Sequence, residues 1–253
     1  MMEERITSRK NPLLQQTRQL FSSRAARRET GLFACDGTKL LEEALLHGYP
    51  VETVILTDGL EAGPIPANVR LIRVPADVME SVSPMETPQG AVFLCRRAPA
   101  PELTLRPGTL ILDGIQDPGN LGTMLRTANA MSIPVVLDEG CADPYGWKAA
   151  RATMGAIFRQ QPMVADWKTV AERCAQLGIP LVGTALTPGA RDLRELDLGR
   201  CAVVIGSEGR GIRPSLLERC DQTAIIPMTP GCESLNAAAA AAIVLWEMGK
   251  TRL

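Results

Sequence analysis

The stretch Thr109-Leu110-Ile111-Leu112-Asp113-Gly114-Ile115-Gln116-Asp117-Pro118-Gly119-Asn120-Leu121-Gly122 decides how this chain folds. Its first residues read as a buried strand that ends on a tight Asp-Gly turn. A helical pattern follows, opening near Asn120, because Asn is a favoured N-cap. Strand, turn and helix then recur downstream. The expected strands are 109–112, 135–137, 180–184, 202–205 and 224–226. The expected helices are about 121–131, 146–153, 167–177, 214–220 and 235–248. Such alternation specifies an α/β fold, a mostly parallel sheet with helices on both faces. Ligands bind such sheets at the carboxyl ends of the strands. The informative loops are therefore those after Leu112, Ile205 and Ile226, all rich in Gly, Pro and polar residues.

Upstream, residues 1–97 read as a smaller α/β unit. A basic helix over 12–21, a strand over 33–35, a helix over 39–46 and strands over 51–56, 69–74 and 90–95 are expected. Arg96-Arg97-Ala98-Pro99-Ala100-Pro101, with Pro107 just beyond, breaks regular structure. The expected organisation is thus an N-terminal domain over 1–97, a linker over 98–107 and a second domain over 108–253.

Composition narrows the function. Of 253 residues, 45% are hydrophobic, enough for a sizeable core. No apolar run is long enough for a transmembrane helix, so no membrane association is expected. The opening MMEERITSRK lacks the apolar segment of a signal peptide, so the expected compartment is the cytoplasm. The seven cysteines are scattered and never form a CxxC pair, which argues against a disulfide framework and a metal site. Net charge is −1. The first thirty residues nevertheless carry Arg5, Arg9, Lys10, Arg18, Arg24, Arg27 and Arg28 against Glu3, Glu4 and Glu29. That face either tracks phosphates or is an ordinary solvated helix surface.

Each loop has two readings when taken singly. In the first, Asn120 and Arg126 are an anion site at a helix start, or a capping residue and a surface cation. In the second, Gly206-Ser207-Glu208-Gly209-Arg210-Gly211 brings the backbone close to a ligand, but its spacing fits neither the dinucleotide fingerprint nor a P-loop. Glu208 repels phosphate and suits a hydroxyl or a cation. In the third, Ile226-Pro227-Met228 leads to Glu233-Ser234-Leu235-Asn236 and the run Ala237 to Ala242. Ser234 is the expected N-cap, and the helix after it, apolar all round, is expected to be buried in the core or against a second subunit.

Together the loops resemble a known family. D-P-x-N-x-G-x-x-x-R-T-A, then I-G-x-E-G-x-G, then I-P-M followed by E-S-L-N-x-A, in that order, resemble the three motifs of SpoU-type RNA ribose methyltransferases of the SPOUT superfamily. Residues 5–95, with Asp36-Gly37-Thr38-Lys39-Leu40, look like that family's N-terminal substrate-binding domain. The resemblance implies a trefoil knot in the C-terminal domain, a homodimer, S-adenosylmethionine as methyl donor and an RNA ribose 2′-hydroxyl as acceptor; the family serves both ribosomal and transfer RNA, and the N-terminal extension favours ribosomal RNA. By motif position it puts Gly206, Ile226 and Leu235 on the donor, with Thr184 beside them. It puts Asn120, Arg126, Glu208, Ser234 and Asn236 on the catalytic and RNA-contacting positions. Two departures from the family pattern are Gly146-Trp147, where relatives often carry Ser-Pro, and Cys232. The rivals are a catalytically inactive RNA-binding relative and, without its fingerprint, a nicotinamide-dependent oxidoreductase.

Overall fold

A computed structural model describes residues 3–229, 231 and 234–250; Cys232 and Glu233 lie outside the described residues. The chain forms two compact units, Met1–Pro99 with Asp143–Arg159, and Ala100–Ala142 with Gln160–Leu253.

The first unit begins with β1 (Glu3–Arg5), α1 (Pro12–Ser22), α2 (Arg24–Thr30), β2 (Leu32–Asp36) and α3 (Thr38–Leu46). It continues through β3 (Val51–Thr57), β4 (Arg70–Val74), α4 (Ala76–Val82) and β5 (Ala91–Arg96). The strands lie in the order β1-β4-β3-β5-β2. β1, β4 and β3 run parallel, and β5 is antiparallel to both its neighbours. Local chemistry sets the helix starts. Asn11 accepts from the amide of Leu13 at 2.9 Å with Pro12 at the first helical position, and Ser23 accepts from Ala26 at 3.2 Å.

The second unit opens with β6 (Thr109–Asp113), α5 (Pro118–Ala130) and β7 (Val135–Leu137). The chain then returns to the first unit for α6 (Trp147–Ala152) and α7 (Ala156–Arg159). This segment differs from the boundary read in sequence, which leaves 143–159 in the second domain. Its apolar face explains the difference: Tyr145, Ala150, Ile157 and Phe158 share a core with Phe33, Tyr49 and Phe93. Arg27 also pairs with Asp143 at 2.8 Å, both side chains nearly buried.

The second unit resumes with β8 (Met163–Val164), α8 (Trp167–Leu177), β9 (Leu181–Thr184), β10 (Arg191–Asp192), β11 (Ala202–Gly206), α9 (Pro214–Leu217), β12 (Gln222–Ile225) and α10 (Ala237–Gly249). Its sheet is parallel throughout, in the order β10-β12-β9-β11-β6-β7-β8. β6 is buried along its whole length and β11 all but its last residue, as continuous apolar strands covered on both faces must be.

Two helix starts differ from the sequence reading. α5 begins at Pro118, not near Asn120, because Asp117 is the cap and accepts the Asn120 amide at 2.7 Å. α10 is capped by Asn236 rather than Ser234, through the amides of Ala238 at 2.9 Å and Ala239 at 3.2 Å. In both, a carboxylate or amide side-chain oxygen accepts the free amides of the first turn. α10 buries Ala238, Ala241, Val244, Leu245 and Met248 but leaves Ile243 and Trp246 exposed, so within one chain it is buried on one face only.

Candidate active site

Strand order brings the three loops together. β12, β9, β11 and β6 are consecutive neighbours in one parallel sheet, so the segments leaving their carboxyl ends emerge side by side. A chain of side-chain hydrogen bonds joins one residue from each loop. Asn120 Nδ2 donates to Glu208 Oε1 at 2.9 Å. Asn236 Nδ2 donates to Asn120 Oδ1 at 3.1 Å. Asn236 also uses its Oδ1 on the first amides of α10, so its side chain is held from both ends. The orientation of Asn120 follows: its amide nitrogen faces the carboxylate and its oxygen faces Asn236.

Gly206 makes the second loop possible. Ser207 and Gly211 exchange backbone hydrogen bonds at 3.0 and 2.9 Å, closing a tight turn directly over Gly206. A Cβ at position 206 would lie 2.1 Å from the Gly211 carbonyl carbon and from the Ile212 nitrogen. Only glycine fits that approach.

Beside this network lies a cavity of about 440 Å³. Leu193, Leu198, Ile226, Leu235 and Val244 give it apolar walls, and Thr184 and Ser234 add polar atoms. Thr184 spends its hydroxyl on the Val204 carbonyl at 2.9 Å, which turns its methyl group free for packing. Ile226, Leu235 and Thr184 therefore line one cavity, whereas Gly206 is not on its surface and acts through the turn above it. The size and the mixture of aliphatic walls with a few polar groups fit a nucleoside-bearing molecule such as S-adenosylmethionine.

Arg126 stands apart. It is exposed on α5, about 240° around the helix from Asn120, and no hydrogen bond or ion pair engages its side chain among the described residues. Ser234 is exposed at the cavity rim.

A second network went unread in the sequence. Arg213 donates its Nε to Asp113 Oδ1 at 2.7 Å and its backbone amide to Asp113 Oδ2 at 2.8 Å, and its Nη2 reaches Asp138. Asp113 and Asp138 are buried. Burial works against the Arg213 charge, yet the two carboxylates hold its pKa above the ordinary value. The available signal was Asp113 itself, a carboxylate closing an apolar strand. Nearby, burial pushes the Cys141 thiol up to about 11, so it stays protonated at neutral pH and offers no nucleophile.

The SpoU rRNA methylase family model matches residues 107–246, which contain every residue of this site. The chain belongs to the SpoU rRNA methylase family. Residues 11–92 match an MRM3-like substrate-binding domain, where the sequence reading expects one. The chain is 31% identical over 247 residues to the 23S rRNA (guanosine(2553)-2'-O)-methyltransferase RlmP of Bacillus subtilis, covering 97% of this chain and 99% of that protein. It is 31% identical over 270 residues to a 23S rRNA (uridine(2479)-2'-O)-methyltransferase of Streptomyces viridochromogenes, covering 98% of this chain and 93% of that protein. An AdoMet-bound rRNA methyltransferase from Sinorhizobium meliloti has the same fold, with a TM-score of 0.86 at 27% identity over 99% of each chain. The family agrees with the expectation drawn from the three motifs, and the parallel α/β sheet with that drawn from the alternation of strands and helices.

Proposed function

We propose that this chain transfers a methyl group from S-adenosylmethionine to a ribose 2′-hydroxyl of ribosomal RNA, with transfer RNA as the second choice of substrate. The observation that carries this reading is the Glu208–Asn120–Asn236 hydrogen-bond chain, built from three loops and set beside the apolar cavity. The donor supplies a methyl group on a sulfonium, already a good leaving group. Ile226, Leu235 and Thr184 would hold it, and Gly206 would shape the turn that covers it.

The remaining difficulty is the acceptor, because a ribose hydroxyl keeps its proton far above neutral pH. Glu208 orients Asn120 rather than acting as a base, since its Oε1 is already engaged by the Asn120 amide. Asn120, Asn236 and Ser234 position the ribose. Arg126 has its fork of donors free for an RNA phosphate and stabilises the developing alkoxide, while that phosphate or water takes the proton. A guanidinium is itself a poor base, with a pKa of about 12 or more. Proximity of hydroxyl and methyl supplies much of the rest.

The enzyme acts as a homodimer, and the exposed Ile243 and Trp246 on α10 support an interface there. A trefoil knot in the C-terminal unit and a cytoplasmic location complete the reading. The free thiols of Cys35, Cys95 and Cys174 are in keeping with a reducing compartment.

Mapping ribose methylation across total RNA with and without the protein tests the proposal. One ribosomal 2′-O-methyl mark should depend on it. Arg126→Ala should bind S-adenosylmethionine as before and lose turnover by about 10²- to 10³-fold; full activity in that variant would sink the assigned role. An inactive relative would give no heat on titration with the donor.

A further inference from the structure

The first unit carries a groove that the methyl-transfer site does not use. Arg18, Phe21 and Ser22 stand on one face of α1, three and four residues apart. Ser81, Ser83 and Pro84, at the end of α4, form the opposite wall, and Trp147 closes the groove from the start of α6. The space is about 260 Å³, and no carboxylate lines it. Trp147 is only partly buried, one of three tryptophans in a chain poor in aromatic residues.

Two cations without a carboxylate partner among the described residues belong here: Arg18, which lines the groove, and Lys148, which neighbours Trp147. Arg18 gives Nη2 to the Arg9 carbonyl at 2.8 Å and Nη1 to the Ser81 carbonyl at 3.4 Å, which leaves other donors of its fork open. Lys148 holds its ammonium 5.5 Å from the Trp147 ring centroid and is otherwise exposed. A ring contact of that kind is weak at a surface, so the ammonium can exchange it for a phosphate.

The walls are fixed before any ligand arrives. The buried Arg27 ties them together: Nη1 donates to the Leu20 carbonyl at 2.6 Å and the Phe21 carbonyl at 3.3 Å, and Nε donates to Asp143 at 2.8 Å. Asp143 in turn accepts the Tyr145 amide at 3.0 Å, two residues before Trp147. A preorganised aromatic surface flanked by unneutralised cations is the chemistry of unpaired RNA, where a base stacks and its phosphates meet the charges. A duplex keeps its bases stacked on one another and cannot use the indole.

We propose that this groove holds a single unpaired RNA base against Trp147, with Arg18 and Lys148 on the adjoining phosphates. The inference rests on RNA being the substrate, and it adds a contact outside residues 11–92, delivered by the segment that returns from the second unit.

The test uses the full chain carrying Trp167→Phe and Trp246→Phe, so that Trp147 is the sole indole. Titration with a single-stranded oligouridylate should quench its fluorescence saturably, and the effect should weaken as salt rises. In the natural chain, Trp147→Ala should weaken oligouridylate binding about tenfold or more, while Trp147→Phe keeps most of it. Lys148→Ala should lower the salt dependence by somewhat less than one counterion. Unchanged Trp147 fluorescence at saturating oligouridylate, or equal affinity in Trp147→Ala, overturns the proposal. The readout needs neither donor nor turnover, so it stands apart from the outcome of the methylation experiment.

Discussion

Two polar networks lie at the carboxyl end of the same parallel sheet, and they are built differently. Arg213, Asp113 and Asp138 form an ion cluster whose two carboxylates are buried and whose cation makes contacts with both. Glu208, Asn120 and Asn236 form a chain with exposed ends and a half-buried centre, with one carboxylate, two amides and no cation. The two meet at one turn, since Glu208 lies within the Ser207–Gly211 segment closed over Gly206 and Arg213 follows it by two residues. The first network spends its charges on each other and fixes the turn. The second keeps its polar groups open to a substrate. A buried charge that loses its partner is costly, whereas an exposed amide that loses its partner meets water.

Substitutions separate the two. Arg213→Ala leaves two carboxylates buried without their cation, and chemical denaturation should report a loss of about 3 kcal/mol. A loss below 1 kcal/mol would mean that water reaches Asp113 and Asp138, and the contrast would collapse. Asn120→Ala should do the opposite. Turnover should fall by about 10²-fold, equivalent to about 2.7 kcal/mol in the barrier, while the denaturation midpoint barely moves. Glu208→Gln keeps the shape but loses the charge; a fall in turnover of about tenfold with unchanged donor affinity is expected if the carboxylate orients Asn120.

The smallest effect comes from a fourth carboxylate, in the first unit. Asp36 is buried, accepts the Ser83 hydroxyl at 2.6 Å, and has no hydrogen-bond partner on Oδ1. Burial pushes its pKa up, against the opposing pull of the Ser83 bond and Arg151. A carboxyl raised in the folded state costs stability above its folded pKa and costs nothing below its ordinary unfolded value. Asp36→Asn should therefore stabilise the protein modestly at neutral pH, and the gain should fade as the pH falls through the folded pKa. Denaturation midpoints across that range check the sign. A gain that grows on acidification would place Asp36 with the paired carboxylates.

Much of this was legible in order along the chain. Continuous apolar runs such as 202–205 can only be strands covered on both faces, and the Gly-rich segment after them must approach another backbone closely. Both belong to local pattern. Caps were less legible, because Asp117 and Asn120 compete for one helix start, as Ser234 and Asn236 do for another. The winner depends on where the chain enters, and that is a tertiary matter. The short strands β1, β8 and β10 have two or three residues each, too few to display a period.

By itself the sequence determined that strands and helices alternate, that three polar loops follow apolar strands, and which side chains those loops carry. Only the tertiary structure decided that Asn120 would meet Glu208, 88 positions away, and Asn236, 116 positions away. It alone sent residues 143–159 back to the first unit, carrying Trp147, with Lys148 next to it, to the groove beside Arg18. The reason is physical. Local pattern records which face of an element is apolar, and that face can be satisfied by several neighbours. The order of strands in a sheet is chosen by the sum of all the contacts, and no window of sequence contains that sum.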